Sequence, residues 1–194
     1  MLASEIGPQD DELRWLQLQR GVQLVLLATR DLGERGGIRS LFGGEGYLED
    51  QYHASKKLLD FSSTSTPLVL RSLSALCEVT PGSSPSTNAY FTPLLLLTSD
   101  VQRQSREDVD NADEVFLYLG FVGFASNAYI ALLKARDHIA MLLLCCWYKV
   151  VGKLDYWWIA RRARHEWRVI AEYLEEFGSG QVRRCLALVE DLGN

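Results

Sequence analysis

Apolar positions recur at three- and four-residue steps along most of the chain, the spacing of helices that bury one face. Near the start, Trp15, Leu18, Val22, Val25 and Leu26 follow this rule, and "QDDEL" ahead of them puts acids where a first turn favours negative charge. The same spacing predicts helices over about Tyr47–Phe61, Ser126–Ala135, His138–Val151, Asp155–Phe177 and Gln181–Leu192. Thr66 and Pro67 look like the N-cap and first position of a further helix through Leu70, Leu73, Leu76 and Cys77. Asn88 is a candidate cap for another, running to about Arg103 and compatible with Pro93 only if it begins at or just before that residue.

The breaks between these stretches are equally marked. Residues 33–46 are glycine-rich, "TPGSSPST" (Thr80–Thr87) is a Ser/Pro-rich connection, and Gly152 and "GSG" (Gly178–Gly180) close two of the helices. No stretch alternates with the period of a strand, and no internal repeat is visible. The expectation is one all-α domain of about seven or eight helices over residues 1–194, with 80–87 as an internal loop. Several later helices are apolar on nearly every face, which belongs in the middle of a bundle.

Composition narrows the function classes. The 194 residues are 47% hydrophobic and 23% charged, ordinary for a folded domain. A net charge of -5 gives no overall field favouring nucleic acid, so no direct nucleic-acid contact is expected. The apolar run Ile139–Tyr148 is far short of the roughly 20 residues that span a bilayer, so no membrane span is expected. The opening "MLASEIGPQDDELRW" lacks a basic region followed by an apolar run and is not expected to be a signal peptide. The four cysteines, Cys77, Cys145, Cys146 and Cys185, form no C-x-x-C pair, and reduced, buried thiols are the expectation.

Candidate chemistry is sparse. His138 and Cys145 or Cys146 are seven or eight residues apart, about 11 Å along a helix axis, too far for a nucleophile and its base. The acidic pairs look solvated, and "FGGEG" (Phe42–Gly46) lacks the Lys-Ser/Thr of a phosphate loop. No catalytic residue, metal ligand or cofactor is expected, and the chain is expected not to be an enzyme. The basic cluster "ARRARHEWR" could touch phosphates with Trp167 stacking on a base. Its spacing fits better an amphipathic helix with Ile159, Ala163, Trp167, Ile170 and Leu174 inside and Arg161, Arg164, Arg168 and Glu172 outside.

The tryptophans remain. Trp147, Trp157, Trp158 and Trp167 each bring roughly 150–250 Å² of apolar surface, which can fill a core or line a ligand cavity between helices. In this region "DHIAMLLLCCWYKVVGKLDYWWIARRARHEWRVIAEYLEEF" resembles the C-terminal regulatory domain of fungal zinc-cluster transcription factors of the sterol uptake control type. The match runs through Ala140, Leu143, Leu144, Trp147, Leu154, Asp155, Trp157, Trp158, Ile170 and Leu174, with "LQRGV" (Leu18–Val22) and "SLF" (Ser40–Phe42) nearer the start. His138-Ile139 stand where the family has a proline, and the Cys-x-x-Cys-x6-Cys cluster is absent. The resemblance implies a helical ligand-sensing domain that binds a sterol or similar apolar small molecule, self-associates as a homodimer and acts in cytoplasm and nucleus. The lining residues expected on this reading are Trp15, Leu18, Phe121, Phe124, Leu143, Trp147, Val150 and Trp158. A filled scaffold or dimerisation domain, and an enzyme acting on an apolar substrate, are the rivals.

Overall fold

A computed structural model describes residue 21 and residues 66–80, 82–104, 121, 123, 125–154 and 157–190; the side chains at 102–104 and 158 are not among those described. These residues form six helices and no strand: α1 (Leu68–Leu76), α2 (Phe91–Gln104), α3 (Asn127–Lys134), α4 (His138–Val151), α5 (Trp157–Phe177) and α6 (Gly180–Glu190). That is fewer than the seven or eight expected over the whole chain. The helices expected around Trp15–Leu26 and over Tyr47–Phe61 lie outside the described residues.

Helix α4 sits at the centre and packs against α2, α3, α5 and α6, while α1 closes the assembly against α2 and α6. Every residue of α4 from Ala140 to Tyr148, with Val150 and Val151, is buried, as its unbroken apolar run requires. Around it lie Leu70 and Leu73 of α1, Phe91, Leu94 and Leu97 of α2, and Tyr129 and Leu133 of α3. Ile159, Ile170 and Leu174 of α5 and Val182, Leu186 and Val189 of α6 complete a single core. Burying each of the larger side chains contributes about 1.5–3 kcal/mol before the cost of ordering the chain.

The ends of the helices follow local chemistry. Asp137 caps α4 by accepting from Ile139 N and Ala140 N, and Ser126 caps α3 by accepting from Tyr129 N. Pro67, not Thr66, takes the N-cap position of α1: its ψ of 139° is extended, and its carbonyl accepts from Leu70 and Arg71. Thr66 is instead buried. Pro93 is the third residue of α2, where its missing N–H costs no intrahelical bond. Two helices end on a left-handed residue that is not glycine, Glu78 (φ 53°) after α1 and Arg136 (φ 55°) after α3. In each case the next amide reaches back five residues, Val79 N to Ser74 O and Asp137 N to Leu132 O, which satisfies the last carbonyls.

Glycine is needed at two points for closeness, not for a left-handed turn. A Cβ on Gly152 would meet Arg164 Cγ at 3.2 Å, because the Arg164 Nε donates to the Gly152 carbonyl at 2.9 Å and ties the start of α5 to the end of α4. A Cβ on Gly178 would lie 2.3 Å from the Leu174 carbonyl oxygen, so the tight turn into α6 depends on that hydrogen.

Candidate functional site

The candidate site lies on one stripe of α4. Leu143, Trp147 and Val150 follow at four- and three-residue steps, so they share a face of the helix. Phe121 lies against Trp147: its ring stacks on that of Trp147 with centroids 5.1 Å apart and planes 13° from parallel. Tyr129 meets the edge of Phe121 at 6.1 Å, and the Tyr148 ring is 4.9 Å from Trp147. Of the eight expected lining residues, four lie in the same core, and none of the four is more than 2% exposed. Trp15, Leu18 and Phe124 lie outside the described residues, as does the side chain of Trp158.

A polar knot fastens the N-terminal end of this stripe. The Asp137 carboxylate that caps α4 also accepts from the Tyr90 hydroxyl at 2.9 Å, across 47 residues of chain. The fully buried Tyr129 hydroxyl donates to the Ala140 carbonyl at 2.8 Å. Asp137 escaped the sequence reading, although an aspartate directly ahead of an apolar helical run is a capping signal. The Tyr90 partnership joins residues too distant in sequence for any local pattern to reveal.

The other tryptophans divide. Trp157 is 77% exposed at the start of α5 and is no part of the core wall. Trp167 is half-buried, and one face of its ring is covered by the Lys149 ammonium 4.3 Å from the centroid, a cation–π contact. That ring face is occupied from within the protein. The α5 residues expected outside, Arg161, Arg164, Arg168 and Glu172, are all exposed, and Ile159, Ala163, Ile170 and Leu174 are buried. Glu166, on the same helix, is not solvated. It is only 4% exposed and pairs with Arg162 one turn earlier at 3.2 Å. Burial of a carboxylate demands such a partner.

All four thiols are free and buried. Burial pushes each of them up, Cys185 to about 11 and Cys77, Cys145 and Cys146 further, so they are protonated at neutral pH and poor nucleophiles. His138, the only histidine on the helix of Cys145 and Cys146, packs edge-on against Tyr173 at 5.9 Å. Among the described residues no group of three or more His, Cys, Asp or Glu could hold a metal ion, and no described helix is long and apolar enough to cross a membrane.

The raised thiols set a pH dependence. A group whose protonated form is favoured by folding contributes stability below its ordinary value, and loses it as pH rises towards the folded value. Burial also raises Tyr90, followed by its bond to Asp137, and raises Tyr129. The urea midpoint is therefore expected to hold steady from pH 7 to about 7.5 and to fall continuously above about 8, the ordinary range of thiol and then phenol ionisation. A midpoint rising between pH 9 and 11 would contradict the buried, neutral thiols. No family model, no curated protein and no solved structure matches this chain.

Proposed function

We propose that the chain is a ligand-sensing regulatory domain of a fungal transcription factor, binding a sterol or similar apolar small molecule beside α4. The observation that carries this reading is the Phe121–Trp147 stack. An aromatic ring laid flat on the central helix is a natural occupant for a site that an apolar ligand can also fill. In the ligand-free packing Phe121 covers Trp147; in the ligand-bound packing the ligand takes that face and Phe121 swings away. The ligand acts by favouring one packing over the other. Further support comes from seven residues of the sterol-regulator resemblance, Ala140, Leu143, Leu144, Trp147, Leu154, Ile170 and Leu174, which are buried in the core, although Trp157 of the same set is exposed. On this reading the chain is not an enzyme, its thiols are packing groups, and it works in cytoplasm and nucleus.

The test is thermal unfolding of the full chain against a sterol panel, with wild type and Phe121→Ala in parallel. A sensor gains about 2.7 kcal/mol at a ligand concentration one hundred times Kd. The alanine variant starts less stable and gains more, because no ring competes with the ligand. A second reading, a scaffold with a filled core, is favoured by the near-zero exposure of Phe121, Tyr129 and Trp147. In that case no sterol changes the melting temperature of either protein.

A further inference from the structure

The outward face of α5 is polarised along its length. Arg161, Arg164, His165 and Arg168 are exposed in its N-terminal half, and Glu172, Glu175 and Glu176 in its C-terminal half. The order is the reverse of what the helix dipole favours, acids at the start and bases at the end; α5 has no acid in its first turn and no base in its last. The stability of the helix therefore does not account for it. Nor does pairing within the chain: among the described residues, the ion pair on this helix is Arg162–Glu166, at the edge of the face.

The spacing accounts for it differently. At about 100° per residue, Arg164 and Glu175 lie within about 20° of each other around the helix, His165 and Glu176 within about 20°, and Arg168 and Glu172 within about 40°. All three pairs are centred at the level of Ile170. Two such helices laid antiparallel about a two-fold axis at that level set each base directly opposite an acid of the other copy, because that symmetry keeps angular position and reverses height. The Nε of Arg164 is held by Gly152, which fixes the stem and leaves the outer guanidinium nitrogens for a partner. We propose that the outer face of α5 is a self-complementary surface that pairs two copies of this chain, antiparallel, through Arg164–Glu175, His165–Glu176 and Arg168–Glu172. This pairing stands apart from the ligand reading, since a dimer forms on this face whether or not the core admits a sterol.

Exposed ion pairs are individually weak and screened by salt, so the expected dimer has a Kd between about 10 μM and about 1 mM at low salt. Sedimentation of the full chain over that range tests it, with circular dichroism to show that each variant is folded. Wild type is expected to dimerise and to weaken at least about tenfold between low salt and 1 M. Arg164→Glu/Arg168→Glu makes the face acidic except for Arg161 and His165, and Glu172→Arg/Glu175→Arg makes it basic except for Glu176. Each is expected to be monomeric alone, and the equimolar mixture to form a heterodimer tighter than wild type. A wild type that stays monomeric at 1 mM overturns the proposal. So does a dimer that both charge-reversed variants keep unchanged, because another surface then holds it.

Discussion

Trp147→Ala is expected to lower the stability of the folded chain by about 3–5 kcal/mol, the range for truncating a large aromatic in a packed interior. The side chain is wholly buried at the middle of the central helix, between the rings of Phe121 and Tyr148. Truncation removes both ring contacts at once, and a cavity of that size closes only by moving α4. Against a total stability of about 5–15 kcal/mol, that is a large fraction. Trp147→Phe keeps an aromatic surface for Phe121 and is expected to recover more than half of the loss. Trp157→Ala, at a 77% exposed position, should cost no more than about 0.5 kcal/mol. Urea unfolding of the three variants reads these values directly. Equal losses at Trp147 and Trp157 would sink the assignment of one to the core and the other to the surface.

Asp137→Ala is the second large effect, about 2–4 kcal/mol. The substitution removes a cap, worth about 0.5–2 kcal/mol, and a hydrogen bond to a charged acceptor, worth about 1.5–3 kcal/mol. Because one oxygen serves Ile139 N, Ala140 N and the Tyr90 hydroxyl, the sum is not additive. Asp137→Asn keeps a capping oxygen but no charge, so about half the loss is expected. Tyr90→Phe should cost about 1–2 kcal/mol in the wild-type background and far less once Asp137 is alanine. A double-mutant cycle gives the coupling; additive losses would show that Tyr90 and Asp137 act independently.

Where burial follows from periodicity, the sequence was a good guide. Helix α4 occupies the predicted span, His138–Val151, since a run apolar on all sides, ended by Gly152, leaves little choice. The division of α5 into buried aliphatics and exposed arginines came from the 3.6-residue period alone. What escaped were facts decided between elements. Glu166 is buried because Arg162 is positioned to neutralise it, while the default for glutamate is solvent. Trp157 and Trp147 carry the same side chain, yet only contacts across the fold make one a core residue and the other exposed. The Phe121–Trp147 stack joins residues 26 positions apart, beyond the reach of any local pattern. The start of α1 was misplaced by one residue because the two candidate positions differ only in backbone angles.

The bond from Arg164 to the Gly152 carbonyl also bears on the order in which the chain assembles. It spans 12 residues, and α4 and α5 are neighbours in sequence as well as in space. Their pairing closes a short loop, whose entropic cost is low and which is expected to form early. Helix α1 must instead meet α6 across roughly 100 residues of intervening chain, a closure that costs about 2 kcal/mol more in chain entropy and is expected to follow the α4–α5 pairing. The Trp-rich stretch is thus expected to pair before α1 reaches α6, which would make it the surface on which these two described helices dock.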